Sequence, residues 1–167
     1  LFGRRFHPAD ARELSIRVSL PRVHDDSRRH EAIRGQHANV ALNTREMLAG
    51  ATVLESTPPL LGVDIRGTCT VKPPCVYCDW ETLKAAEGSN VDAPFDVGTL
   101  TGWGPFFDGA SELLNCSIGE PFMDPELDRL LDHVAARGKI LEMSTNGQIL
   151  TPRQIDALVG RDIHLYV

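Results

Sequence analysis

Residues 140–167 read ILEMSTNGQILTPRQIDALVGRDIHLYV, and this stretch decides the fold. Ile140 to Ser144 is a short, mostly apolar run and predicts a strand. A polar turn, Thr145-Asn146-Gly147, follows it. Thr151 then supplies a helix N-cap, Pro152 fits the first helical position, and Gln154 completes a capping box. Gly160 closes that helix, and Ile163 to Val167 predicts the next strand. Two strands joined through a helix at this spacing run parallel, with a right-handed crossover.

The same grammar extends upstream. Leu113 to Ile118 predicts a strand whose composition suits burial on both faces. Asp124 is placed as an N-cap with Pro125 after it. Leu127, Leu130, Leu131 and Val134 then fall at i, i+3, i+4 and i+7, one apolar stripe for a sheet. Gly138 fits the end of that helix. Leu61 to Ile65 predicts a first strand running into a loop that holds Cys69, Cys75 and Cys78. A short helix over Asp79 to Glu87 and a weak one over Asp96 to Phe107 complete the pattern. The expected class is α/β with parallel strands. Its functional loops belong at the C-terminal strand ends: the cysteine loop, Gly119-Glu120-Pro121, and Thr145-Asn146-Gly147.

Val167 falls inside an apolar run, and a full eight-unit barrel takes about 250 residues. The 167 residues are therefore expected to be the N-terminal part of a longer barrel, cut at both ends and stopping at about strand four. Residues 61–167 form the core domain in this reading. Residues 1–60 form a mostly helical extension of unknown role, with a short strand over Ser15 to Leu20, a polar helix from about Asp25 to Leu48, and Gly50 to end it. His24, His30 and His37 lie there, but only the last two would share a helix face, and no Cys or acid completes a site.

The net charge is −6, which excludes a general nucleic-acid binder. The charge is uneven: residues 1–50 hold nine Arg against six acids, and residues 51–167 hold eight basic against seventeen acidic residues. The Arg-rich part reads as a solvated helix face. No stretch approaches the roughly 20 apolar residues of a membrane span, and no export signal stands at the start, so no membrane partner and a cytoplasmic location are expected.

Four cysteines are few for a disulfide scaffold, and three of them are clustered. Cys69, Cys75 and Cys78 lie within ten residues, and the two-residue gap of the last pair lets a tight turn present two sulfurs to one centre. A structural zinc ion wants four protein ligands. Three thiolates on a [4Fe–4S] cluster leave one iron open. Cys116, inside the second strand, is expected to be a small core hydrophobe. Asp64 and Arg66 flank the cysteine loop and are read as orienting the strand end. A non-catalytic zinc or iron–sulfur module, with Cys116 or a His as fourth ligand, is the alternative, although it leaves the other two loops unexplained.

Three motifs in order, each after a predicted strand, make the segment from Leu61 to Val167 resemble the radical S-adenosylmethionine (SAM) superfamily. The cysteine loop is the first, with Tyr77 at the family's aromatic position. Ser117-Ile-Gly-Glu-Pro121 is similar to the family's G-G-E-P motif. Ser144-Thr-Asn-Gly147 resembles its T-N-G loop. The loop here is C-x5-C-x2-C rather than C-x3-C-x2-C, and Ile118 replaces the first Gly of G-G-E.

The resemblance implies a partial (β/α)6 TIM-like barrel in which Cys69, Cys75 and Cys78 hold a [4Fe–4S] cluster. It implies reductive cleavage of SAM to a 5′-deoxyadenosyl radical, which abstracts hydrogen from a substrate. Tyr77 would lie near the adenine, and Gly119 and Glu120 would receive the methionine amino group; Pro121, Ser144 and Asn146 join them on the cofactor side. No residue is assigned as a catalytic acid or base. The implied partners are an unidentified substrate, either a peptide or a small molecule, and an electron donor such as flavodoxin or ferredoxin. The extension and the long gap between Cys78 and strand two resemble the group with an auxiliary-cluster C-terminal domain. The fragment alone is expected to be inactive, because the family's remaining cofactor contacts lie on later strands.

Overall fold

The computed structural model describes residues 27–65, 68–72, 75–76, 78–79, 82, 85–86, 93–116 and 118–167. The strand expected over Ser15 to Leu20, Tyr77, Arg66, Ser117 and most of the helix expected over 79–87 lie outside them.

Four strands form one parallel sheet: β1 (Leu60–Val63), β2 (Glu112–Asn115), β3 (Ile140–Ser144) and β4 (Ile163–Tyr166). They stand in chain order, β1-β2-β3-β4. Leu61, Leu113, Leu141 and Ile163 line up as one row across the sheet, and Gly62, Leu114, Glu142 and His164 form the next. Side chains alternate between faces along a strand. The first row, with Val63, Met143 and Leu165, packs into the core. Crossovers of one hand between strands in sequential order put every connecting helix on the same face.

That arrangement corrects the reading of β2 as buried on both faces. Leu113 is fully buried, but Glu112, Leu114 and Asn115 are only partly covered. Cys116 is corrected by the same logic. It shares the parity of Glu112 and Leu114, lies just past the strand, and is exposed rather than packed in the core. Its Sγ would stand 3.1 Å from a Cβ placed on Gly62 of the neighbouring strand.

The helices follow the sequence closely. α1 spans Ser27–Leu48. The weak segment after Asp96 resolves into α2 (Val97–Gly102) and α3 (Pro105–Gly109), parted where Pro105 opens a new first turn. α4 spans Leu127–Ala135 and buries Leu127, Leu130, Leu131 and Val134 against the sheet. Each such side chain contributes about 1.5–3 kcal/mol of burial. Gly138, at φ 62°, ends the segment, with its own N–H bonded to Ala135 O and that of Lys139 to Val134 O. α5 (Pro152–Leu158) carries the expected capping box between Thr151 and Gln154.

Asp124 is not the N-cap of α4. A single 3₁₀ turn, Pro121–Met123, comes first, and the helix starts after Glu126. The Asp124 carboxylate instead accepts from Glu126 N at 2.8 Å and from Phe95 N at 2.9 Å, which ties the loop before α2 to the start of α4.

α1 closes the N-terminal edge of the sheet. Its side chains reach the segments that precede β2, β3 and β4 in turn. Asn39 donates to Thr57 O and Gly109 O and accepts from Thr57 N. Gln36, 2 % exposed, donates to Arg137 O, and Arg29 donates to Ala135 O and pairs with Asp162. These are polar contacts, which is why a helix with no apolar stripe still docks. Beneath it Lys139 is buried, with its Nζ on Asp108 O and Ala110 O and 4.7 Å from the Phe107 ring centre. Among the described residues, no helix is long and apolar enough to cross a membrane.

Candidate functional site

The loops after β1, β2 and β3 meet at the C-terminal edge of the sheet, the edge opposite α1. The first is launched by β2: Asn115 Oδ1 accepts from Ile65 N at 3.0 Å, and Cys116 N donates to Val63 O. Cys69, Cys75 and Cys78 on that loop are free thiols and partly buried, and Cys78 N closes a turn on Cys75 O at 3.0 Å. Cys69 follows the end of β1 by six positions, so the sheet fixes where the loop begins.

The second loop turns at Gly119, whose φ of 128° lies in the region that side-chain-bearing residues avoid. This lets the chain reverse so that Glu120 points inward. Glu120 is fully buried. Its carboxylate accepts from Phe122 N at 3.2 Å, capping the 3₁₀ turn, and from Thr145 Oγ1 at 2.8 Å and Asn146 N at 2.9 Å. Thr145 Oγ1 in turn accepts from Gly147 N. A carboxylate is the one side chain with enough lone pairs for three such donors and the charge to strengthen each.

The third loop reaches back to the first. Asn146 Nδ2 donates to Thr70 Oγ1 at 3.4 Å, and Thr70 Oγ1 bonds Gln148 Oε1 at 3.3 Å. Ser144 is exposed at the end of β3, and Pro121 is buried behind Glu120. Gly119, Glu120, Pro121, Asn146 and the residue next to Cys69 are thus brought together. The Glu120 oxygens are engaged by protein donors, which makes it the brace between two loops. Thr70, Thr145 and Gln148 were not singled out from sequence. Ser and Thr beside a turn Gly are too common to mark a site, and only their pairing across loops gives them weight.

The donor set on the first loop suits a metal centre, since thiols within one loop are unpaired and partly shielded. Among the described residues the three sulfurs do not gather within 4.8 Å of one another. Fold and site together define an α/β protein with a parallel sheet and a thiol-bearing loop braced at its C-terminal edge. No family model, no curated protein and no solved structure matches the chain.

Proposed function

We propose that this chain carries the cofactor site of a radical SAM enzyme, built on the first four units of a partial barrel. The observation that carries the reading is the meeting of three loops at one edge: the cysteine loop, the Gly-Glu-Pro loop and the Thr-Asn-Gly loop, each after a parallel strand. Sequential strand order with the connecting helices on one face is what a barrel wall requires.

Cys69, Cys75 and Cys78, free and partly buried on one loop, would hold a [4Fe–4S] cluster. When bound, the cluster and SAM supply a one-electron cleavage of the sulfonium that yields methionine and a hydrogen-abstracting 5′-deoxyadenosyl radical. Glu120 acts as a positioning residue, holding Thr145 and Asn146 against the second loop. Asn146 passes that order to Thr70, one residue from the first ligand. Gly119 allows the turn, and Ser144 offers an exposed hydroxyl at the same edge. The substrate, peptide or small molecule, and a flavodoxin- or ferredoxin-type electron donor belong to the same proposal.

The test is anaerobic reconstitution with iron and sulfide, followed by EPR of the reduced protein with and without SAM. A cluster of about four irons per chain whose signal shifts on adding SAM is expected. A colourless zinc protein, a cluster indifferent to SAM, or a Cys75→Ala variant that keeps both iron and the shift would overturn the reading.

A further inference from the structure

On the face of the sheet away from the core helices, three ligating side chains converge. Glu112 opens β2, Glu142 lies in the middle of β3, and His164 is the second residue of β4. Glu142 and His164 are direct neighbours across the β3–β4 ladder, and Glu112 lies diagonally on the other side. One carboxylate oxygen from each Glu and one ring nitrogen of the His lie within 4.8 Å of one another, all three half-buried. Three separate strands present them, so the sheet fixes their spacing.

Charge leaves this group unbalanced. The other strand positions on that face are Leu60, Gly62, Leu114, Ile140, Ser144 and Tyr166, none of them basic. Burial raises the pKa of Glu112, and the hydrogen bond and charge of Glu142 raise it further, while His164 opposes the shift. Two carboxylates in contact need either a proton between them or a cation. An imidazole alongside, with its neutral nitrogen a ligand, favours a metal ion over an ammonium or guanidinium.

We propose that Glu112, Glu142 and His164 form a site for one divalent first-row transition-metal ion, distinct from the cysteine centre. Bonds of about 2.1 Å set donor atoms roughly 3–3.4 Å apart, so a closing-in of at most about 1.5–2 Å from the 4.8 Å bound completes the set. Two carboxylates and one imidazole suit manganese, iron, cobalt or zinc, and the lack of sulfur disfavours copper(I). Three protein ligands leave positions open for water or a substrate oxygen, as in catalytic rather than structural sites. The inference does not rest on the radical SAM reading, because neither thiol nor SAM takes part.

Cobalt(II) is the probe, since a thiolate ligand adds a sulfur-to-cobalt charge-transfer band that oxygen and nitrogen ligands do not. The full chain, titrated anaerobically, is expected to bind one equivalent without that band. Glu142→Gln and His164→Gln should each weaken it by more than about tenfold, since even outer-shell partners are worth that much. Far- and near-UV circular dichroism and the urea midpoint of both metal-free variants should match those of the parent chain, which shows that they remain folded. Cobalt bound solely with the sulfur band, or a sulfur-free equivalent that His164→Gln leaves unchanged, would overturn the proposal.

Discussion

Glu120→Gln is the substitution that most directly tests the brace between the second and third loops. The native carboxylate receives Phe122 N and Thr145 Oγ1 on one oxygen and Asn146 N on the other. Gln keeps one acceptor. Its amide nitrogen would replace the second oxygen and face the Asn146 N–H, donor against donor. The loss combines one hydrogen bond to a charged group, about 1.5–3 kcal/mol, with weaker bonds to the remaining oxygen. Full burial of Glu120 means that water does not fill the gap. The expected destabilisation is therefore about 2–3 kcal/mol. For a chain of this size that lowers Tm by about 5–10 °C. Urea denaturation of the metal-free protein, followed by circular dichroism, measures it without reference to any cofactor. Thr145→Val provides the cycle: it removes one of the same donors, so the two changes together should cost about 1 kcal/mol less than their sum. A Glu120→Gln effect within about 0.5 kcal/mol, the range of ordinary surface changes, would show that the carboxylate does not hold the loops.

Three more outcomes follow from the packing. Burial lowers the pKa of Lys139 from the usual 10.5 to about 8, against the pull of Asp108. Between those pH values the folded state holds fewer protons than the unfolded state, so stability rises with pH, by up to about 3 kcal/mol. Urea midpoints at pH 7.5 and 9.5 should show this rise in the native chain and not in Lys139→Met. Asn39→Ala removes three hydrogen bonds that dock α1 and should cost about 2–3 kcal/mol, with hydrogen exchange fastest in residues 27–48. Thr151→Ala removes half of the capping box and should cost about 1 kcal/mol, with no change at the cysteine loop.

Caps and apolar periodicity made most of the fold legible. The Thr151–Gln154 box, the Leu127–Val134 stripe and the C-terminal end of α1 at Gly50 are local features, dictated by backbone groups within a few residues of each other. Where a strong local signal misled, a competing partner had taken it. Asp124 looks like a cap, but Phe95, distant in sequence, takes one of its oxygens, and a 3₁₀ turn intervenes. The cysteine loop, Gly119 and the Asn146 turn were visible as residue types at suggestive spacings. Their meeting was not, because Glu120 to Thr145 and Asn146 to Thr70 are contacts across 25 and 76 residues.

The sequence by itself therefore determined the parallel α/β class, the apolar stripe of α4, the capping box of α5 and the loops that bear thiols, since each follows from short-range hydrogen bonding and the period of apolar residues. Tertiary structure alone decided which sheet face is covered, and with it the exposure of Cys116 and the burial of Glu120. It also brought Glu112, Glu142 and His164 together, for a physical reason: strand register is set by packing across the whole sheet, and no residue within one strand records what its neighbour will place beside it.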